Sequence, residues 1–302
     1  MHDLLVIGAG LAGLAAARHA ASAGANTVIV ETQPLYGGLV ANVEHVDGLS
    51  DAAGEPTSGM MLAMERLEAA MEQGAELLEA EVLGLAPGTG GFAVTTSAGS
   101  RPARAVLVAT GGKLRKLDVP GEDAFYGRGV SQCADCDGPM FQDEDVLVVG
   151  GGDAAAQEAL VLAEFCRSVT VLARSGLKAQ PRYAERLAAL PNIRLLRDRA
   201  VDAILGDATV TAVRLRAPTT GAVEDFACTG VFPFIGTEPA ANFLPAAVVR
   251  RNGLVETDDD LMTTLPGLYA AGAARLGYSG RLADAAAEGE AAARAALAFI
   301  AR

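Results

Sequence analysis

Apolar positions in this chain fall in short blocks separated by alanine-rich stretches of helical character. Leu4-Leu5-Val6-Ile7 is an unbroken apolar run of strand length that closes on a glycine turn at Gly8; an alanine-rich helical stretch follows, and then Thr27-Val28-Ile29-Val30, ending in the acid Glu31. Strand, turn, helix, strand is the order of a parallel βαβ unit. The order recurs at Val146-Leu147-Val148-Val149, Gly150-Gly151-Gly152, a helical stretch from Ala154, and Val169-Thr170-Val171-Leu172. Architecture is thus duplicated without a short tandem repeat. Between the two units, Met60 to Gln73 predicts a helix, Phe92 to Thr96 alternates like a strand, and Val106 to Gly112 reads as a buried strand closing on glycines. The loop holding Val119-Pro120-Gly121 reads as a boundary, and the second unit is expected to end near Phe232-Pro233-Phe234-Ile235-Gly236. Leu268 to Gly272 predicts one more strand and turn before a final alanine-rich helix to about Ile300.

At 302 residues the chain exceeds one usual domain, which favours two. Hydrophobic residues reach 51%, much of it alanine, and no apolar run approaches the roughly 18 to 20 residues of a membrane span. With no basic leader ahead of Leu4, the expectation is a cytoplasmic protein. A formal net charge of −13 argues against nucleic acid as a partner, because such binders concentrate Lys and Arg. Met60, Met61, Met64 and Met71 share helical spacing and read as core or subunit-interface packing. Of the four cysteines, Cys166 and Cys228 stand alone in apolar surroundings and read as inert core thiols.

Two glycine clusters carry chemistry. Gly8-Ala9-Gly10-Leu11-Ala12-Gly13 fits G-x-G-x-x-G, with Glu31 at the distance expected for a ribose-binding acid. The first glycine makes the tight turn, the second lets backbone approach a pyrophosphate, and the third packs helix on strand. Gly150-Gly151-Gly152-Asp153-Ala154-Ala155 fits the variant ending in alanine, so a second dinucleotide site is expected. After its next strand comes Arg174-Ser175, with Lys178 close by, where a cation suits the 2′-phosphate of NADP better than the bare hydroxyl of NAD. A solvated strand-end charge is the alternative for Arg174. Cys133-Ala134-Asp135-Cys136 has the spacing of an exchangeable dithiol. Structural zinc would need further ligands, and His2, His19 and His45 are not paired at ligand spacing; plain structural thiols remain the other alternative. Asp137, beside the second thiol, is placed to protonate a leaving thiolate.

Taken together, these segments resemble the low-molecular-weight thioredoxin reductases of the pyridine nucleotide-disulphide oxidoreductases. The resemblance runs nearly end to end, through the first glycine cluster, Tyr36-Gly37-Gly38, Val106 to Gly111, Val119-Pro120-Gly121-Glu122, Gly127 to Gly138, the second cluster and Phe234-Ile235-Gly236. It implies an α/β fold with two Rossmann-like dinucleotide-binding domains, the second inserted into the first. Residues 1–113 and 243–302 would bind FAD, and residues 114–242 would bind NAD(P)H and carry the dithiol. The FAD positions it implies are Gly8, Gly10, Ala12, Gly13, Glu31, Gly37, Gly38, His45, Val82, Thr110, Gly111, Gly272, Arg281, Leu282 and Ala283. Those for the pyridine nucleotide are Gly150, Gly152, Asp153, Ala154, Arg174, Ser175, Lys178 and Gly236. By the same resemblance Cys136 faces the flavin, Cys133 attacks an external disulphide, Asp137 is the acid, a thioredoxin-like protein is the acceptor, and a homodimer with rotating domains is the working form.

Four positions depart from the family pattern. Gly272-Ala273 stands where the family has Gly-Asp, Arg281-Leu282-Ala283 where it has Arg-Gln-Ala, and Gly37-Gly38-Leu39-Val40 with His45 where it has Gly-Gly-Gln-Leu and an Asn. Ala173-Arg174-Ser175 and Lys178 replace a richer cationic cluster. The last departure keeps open a dithiol oxidase or a disulphide reductase with another donor (NADH or no pyridine nucleotide); the altered FAD positions keep open a non-catalytic flavin or nucleotide-binding protein.

Overall fold

The computed structural model describes residues 1–302 except 34–35, 44–45 and 47–56. The chain divides into two compact units, Met1–Lys113 with Glu238–Arg302, and Leu114–Thr237. It begins with β1 (His2–Ile7), α1 (Leu11–Ser22), β2 (Thr27–Glu31), α2 (Gly59–Glu72), β3 (Glu76–Glu79), β4 (Val82–Gly88), β5 (Gly91–Thr96) and β6 (Gly99–Val108). After the short β7 (Gly112–Leu114) come α3 (Ala134–Asp137), β8 (Asp145–Val149), α4 (Asp153–Phe165), β9 (Ser168–Leu172), α5 (Pro181–Ala189) and β10 (Ile193–Leu196). Three antiparallel strands follow, β11 (Ala200–Gly206), β12 (Val210–Arg216) and β13 (Val223–Ala227), then β14 (Gly230–Pro233). The chain returns to the first unit through β15 (Thr237–Pro239), β16 (Arg250–Arg251) and β17 (Leu254–Val255), and ends with β18 (Leu268–Ala270) and α6 (Leu282–Ile300).

In the first unit the strand order is β3-β2-β1-β6-β5-β4, with β18 also pairing β6. Strands β1, β2, β3, β6 and β18 are parallel, in registers such as Leu5↔Val28, Leu5↔Val106 and Leu268↔Val106. Because side chains alternate across a strand, both faces of this sheet are apolar and buried. Leu4, Val6, Ile29 and Leu107 pack under α1 and α6, while Leu5, Ile7, Val28, Val106 and Leu268 form the opposite core. The alanine content is used here: α1 and α6 approach so closely that a Cβ on Gly289 would lie 2.0 Å from the Ala12 carbonyl oxygen. Helix α2 starts where Ser58 Oγ accepts the Met61 N–H at 3.1 Å, a serine N-cap.

The second unit holds a parallel sheet in the order β10-β9-β8-β14. Val146, Val148, Val169, Val171 and Phe232 face α4 and α5 on one side; Leu147, Val149, Leu172 and Val231 face the β11-β12-β13 meander on the other. Each unit therefore has the layers of a dinucleotide-binding α/β domain. Among the described residues, no helix is long and apolar enough to cross a membrane, and no group of three or more His, Cys, Asp or Glu is arranged to hold a metal ion.

Candidate active site: a disulphide turn and two dinucleotide cradles

The glycine turn of the first unit is built as its spacing demands. Gly8 has φ +107°, and a Cβ there would meet the Ala109 carbonyl oxygen at 2.5 Å; one on Gly13 would meet the Gly8 oxygen at 1.9 Å. Gly10 is different: its Cβ would point into space bounded only by the Gly37 oxygen at 3.8 Å, so the backbone at the start of α1 stays open to a ligand. Glu31, at the end of β2, reaches back to this turn. Its Oε2 accepts the Ala9 N–H at 2.7 Å, and its Oε1 accepts the Thr32 and Gln33 N–H groups at 2.8 and 2.9 Å. A carboxylate has about four lone-pair sites, so this one retains acceptor capacity while being fixed in place.

Around the turn stand other positions expected to bind FAD. Gly37 and Gly38 both have positive φ, the Gly37 N–H donates to the Ala9 oxygen at 2.9 Å, and its Cβ would fall 2.5 Å from that of Ala63. Ala12 is buried against Gly272, whose own Cβ would lie 3.2 Å from that of Ala12. Thr110 follows Ala109, beside Gly8, and its buried Oγ1 has no hydrogen-bond partner among the described residues. An orphaned buried hydroxyl of this kind fits a bound polar ligand. Gly111 next to it has φ +63°, and a Cβ there would have no heavy atom within 4 Å. Val82 opens β4 and packs half-buried on the core side of the sheet. Arg281 is the N-cap residue of α6, with exposed Leu282 and Ala283 in its first turn. His45 lies outside the described residues.

At Gly272-Ala273, where the family pattern has Gly-Asp, the turn is held by a carboxylate from another element. The Gly272 N–H donates to Glu288 Oε2 at 2.8 Å, and Glu288 is paired with Arg275, both side chains being largely buried. Glu288 thus serves the turn from α6, and Ala273 contributes no polar side chain.

The second glycine cluster is as tightly constrained. Gly150 has φ +150°, and a Cβ would meet the Phe234 oxygen at 2.2 Å, whereas Gly152, just ahead of α4, has nothing within 4 Å. The segment after β9 folds back over this turn: the Lys178 N–H donates to the Gly151 oxygen at 2.6 Å, and Asp153, the first residue of α4, accepts both the Gln180 N–H at 2.7 Å and the Gln180 side-chain amide at 2.5 Å. Ala154 is exposed in the same first turn, and Gly236, at φ +102°, turns the chain after β14. Arg174 and Ser175 leave β9 exposed. Sequence reasoning, which found Arg174 and Lys178, missed a third cation here: the Asp198 N–H donates to the Arg174 oxygen, and β10 runs parallel to β9 in the register Leu196↔Leu172, so Arg197 leaves the neighbouring strand at the same end.

Cys133 and Cys136 form a disulphide with Cα atoms 5.3 Å apart. Cys133 is the N-cap residue of α3 and Cys136 lies within that helix: Cys133 Sγ accepts the Cys136 N–H at 3.1 Å. Ser131 Oγ accepts the Cys133 N–H at 3.1 Å and donates to the Cys133 oxygen at 3.3 Å, locking the entry to the turn. Cys136 is exposed and Cys133 half-buried. Asp137 is half-buried at the end of α3, its N–H donating to the Cys133 oxygen at 3.2 Å. Beneath the turn lies a residue without a sequence signal, Glu158 of α4, whose Oε2 accepts the Ala134 N–H at 2.8 Å. Burial pushes its carboxyl up to about 7; the Ala134 bond pulls the other way, and Asp135 adds to the rise. Cys166 and Cys228 are free and buried, and burial raises their thiols to about 11 and about 12.

Comparison with known proteins agrees with this geometry. The family described as "Pyridine nucleotide-disulphide oxidoreductase" matches residues 2–291. A thioredoxin reductase of Treponema pallidum is 37% identical over 303 residues, covering 99% of this chain and 97% of the relative. The crystal structure of Lactococcus lactis thioredoxin reductase (FR conformation) superposes with a TM-score of 0.93 at 31% identity, covering 100% of this chain and 99% of that one. The T. acidophilum thioredoxin reductase structure does so at 0.90 and 30%, covering 98% of each chain. Thioredoxin reductases as a family depend on FAD and NADPH. The chain belongs to the pyridine nucleotide-disulphide oxidoreductases, and is an FAD-dependent thiol-disulphide oxidoreductase of the thioredoxin reductase type.

Proposed function

We propose that the chain carries electrons from NADPH, by way of FAD and the Cys133–Cys136 disulphide, to the disulphide of a thioredoxin-like protein, working as a cytoplasmic homodimer. The observation that supports this most strongly is the disulphide turn standing directly ahead of the second glycine cluster, in one compact unit with it. In this reading FAD lies along Gly8, Gly10, Ala12, Gly13, Gly37 and Gly38, with its ribose on Glu31 and a polar contact to Thr110. NADPH lies over Gly150 and Gly152, with its 2′-phosphate near Arg174, Ser175 and Lys178. The chemistry that bound FAD supplies is two-electron exchange between a reduced nicotinamide and the protein disulphide.

The thiol steps belong to the protein itself. In the reduced pair, Cys133 as thiolate attacks one sulphur of the partner's disulphide, and the other sulphur leaves, taking a proton for which Asp137 is the donor. Cys136 then displaces Cys133's bond to the partner, the Cys133–Cys136 bond re-forms, and the second partner sulphur is released as a thiol or thiolate. Cys133→Ser is expected to abolish disulphide turnover while flavin reduction by the nucleotide persists. Full turnover in that variant would refute the dithiol route.

A further inference from the structure

We propose that Glu158 is a positioning residue that couples reduction of the Cys133–Cys136 disulphide to uptake of a proton, acting through the Ala134 N–H. The proposal rests on the reading of this disulphide as redox-active.

The geometry places a carboxylate where the charge of the reaction changes. Glu158 sits on α4 and accepts at 2.8 Å from the amide of the residue that directly follows Cys133. Reduction breaks the S–S bond with two electrons; when one sulphur binds a proton, the other is the thiolate that thiol–disulphide exchange uses, here Cys133. A new negative charge then appears one residue from the Glu158 contact. A like charge within about 4–6 Å raises a carboxyl by roughly 1–3 units, so Glu158, when ionised in the disulphide form, takes up a second proton as the thiolate forms. The electron pair comes from a dithiol or the reduced flavin, and the proton comes from solvent.

The surroundings leave few competitors. On α3 the titratable neighbours are Asp135 and Asp137, of which Asp135 acts on Glu158 and in the same direction as a thiolate. Helix α5, packed on α4, contributes Arg182, Tyr183, Glu185 and Arg186; β8 contributes Asp145, already held by Arg167 and Ser168. Strand β9 and the Gly138–Phe141 turn carry no titratable group. On α4 itself, Asp153 is bonded to Gln180 and Glu164 lies toward the far end.

The test compares the full-length flavoprotein with E158Q, which is nearly isosteric and keeps an acceptor for Ala134. Each is equilibrated with mixtures of oxidised and reduced dithiothreitol between about pH 6 and pH 9, then quenched with an alkylating agent and counted for Cys133 and Cys136 thiols, giving the reduction equilibrium constant. The constants of the two proteins are expected to be nearly equal at about pH 6, where Glu158 is protonated in both redox forms. Their ratio in favour of E158Q then rises and levels off above neutrality, by about tenfold for each unit that the thiolate adds to the Glu158 carboxyl. A ratio that does not vary with pH overturns the proposal, since loss of a purely structural contact shifts the constant equally at every pH. In the unmutated protein alone, reduced-minus-oxidised infrared difference spectra at about pH 8 are expected to gain a protonated-carboxyl band, and its absence also overturns the coupling. A disulphide that no dithiothreitol mixture reduces would instead overturn the dithiol reading beneath it.

Discussion

Two cysteine environments decide which sulphurs react. Cys133 and Cys136 sit on a surface turn, whereas Cys166 and Cys228 are buried with their thiols held well above the usual range by desolvation. The native, reduced protein is therefore expected to give two alkylated cysteines at about pH 8 and four only after denaturation; native labelling of Cys166 or Cys228 by mass spectrometry would contradict the assigned burial. Glu158 adds a second residue-scale expectation. Its carboxyl is raised from the ordinary 4.5 to about 7, so the folded state binds the extra proton in that window. The stability it contributes is present below the lower value and lost as pH rises to the upper one. E158Q should match the parent near pH 4.5 and exceed it by about 1–3 kcal/mol above neutrality, read by urea unfolding at several pH values. A difference unchanged across that range would remove the buried carboxyl as its cause.

At the scale of elements, packing tolerances are set by glycine. On α6, Gly289 meets the backbone of α1, and a backbone oxygen cannot rotate away as a side chain can. Gly289→Ala is expected to cost roughly 1–3 kcal/mol and to lower FAD retention, because α1 carries the glycine turn at its start; an unchanged melting temperature would contradict the close approach. The strand end holding Arg174 and Arg197 makes a separate claim. Arg174→Ala should weaken NADPH more than NADH, by about tenfold for a lost charge-assisted bond of about 1.4 kcal/mol, and Arg197→Ala should act in the same direction; equal effects on both nucleotides would take these residues off the phosphate.

What the sequence made legible follows from period and constraint. The strands β1, β2, β8 and β9 are buried on both faces and so read as near-continuous apolar runs, and the glycine clusters were readable because φ above zero and backbone contact admit few other residues. The meander β11-β12-β13 was not legible: it is covered on one face only, and its outer face is tied by ion pairs such as Arg214 with Asp225 and Arg216 with Asp202, which look like ordinary surface charge in one dimension. Likewise Cys133, Cys136 and Asp137 were readable by adjacency. Glu158, Glu288 and Arg197 were not, because each reaches its site from a neighbouring element and no motif spacing marks it.

At the scale of the whole molecule, the same βαβ plan is used twice for two dinucleotides, and the sequence reading of two Rossmann-like domains agrees with the relatives of known structure. A chain of net charge −13 must attract an anionic nucleotide locally rather than by its overall field, which gives the strand-end cations their weight. Short-range attraction of this kind is screened by salt, so the apparent KM for NADPH is expected to rise with ionic strength more than that for NADH. The central claim concerns the route of the electrons, and the most direct measurement is an anaerobic titration of the FAD-loaded protein with NADPH, following flavin absorbance while alkylation counts thiols. The account predicts that the flavin is reduced by NADPH and that two new thiols per chain appear, at Cys133 and Cys136. A flavin that stays oxidised under NADPH yet is bleached by a small dithiol, or a reduced flavin with no new thiols, would contradict it.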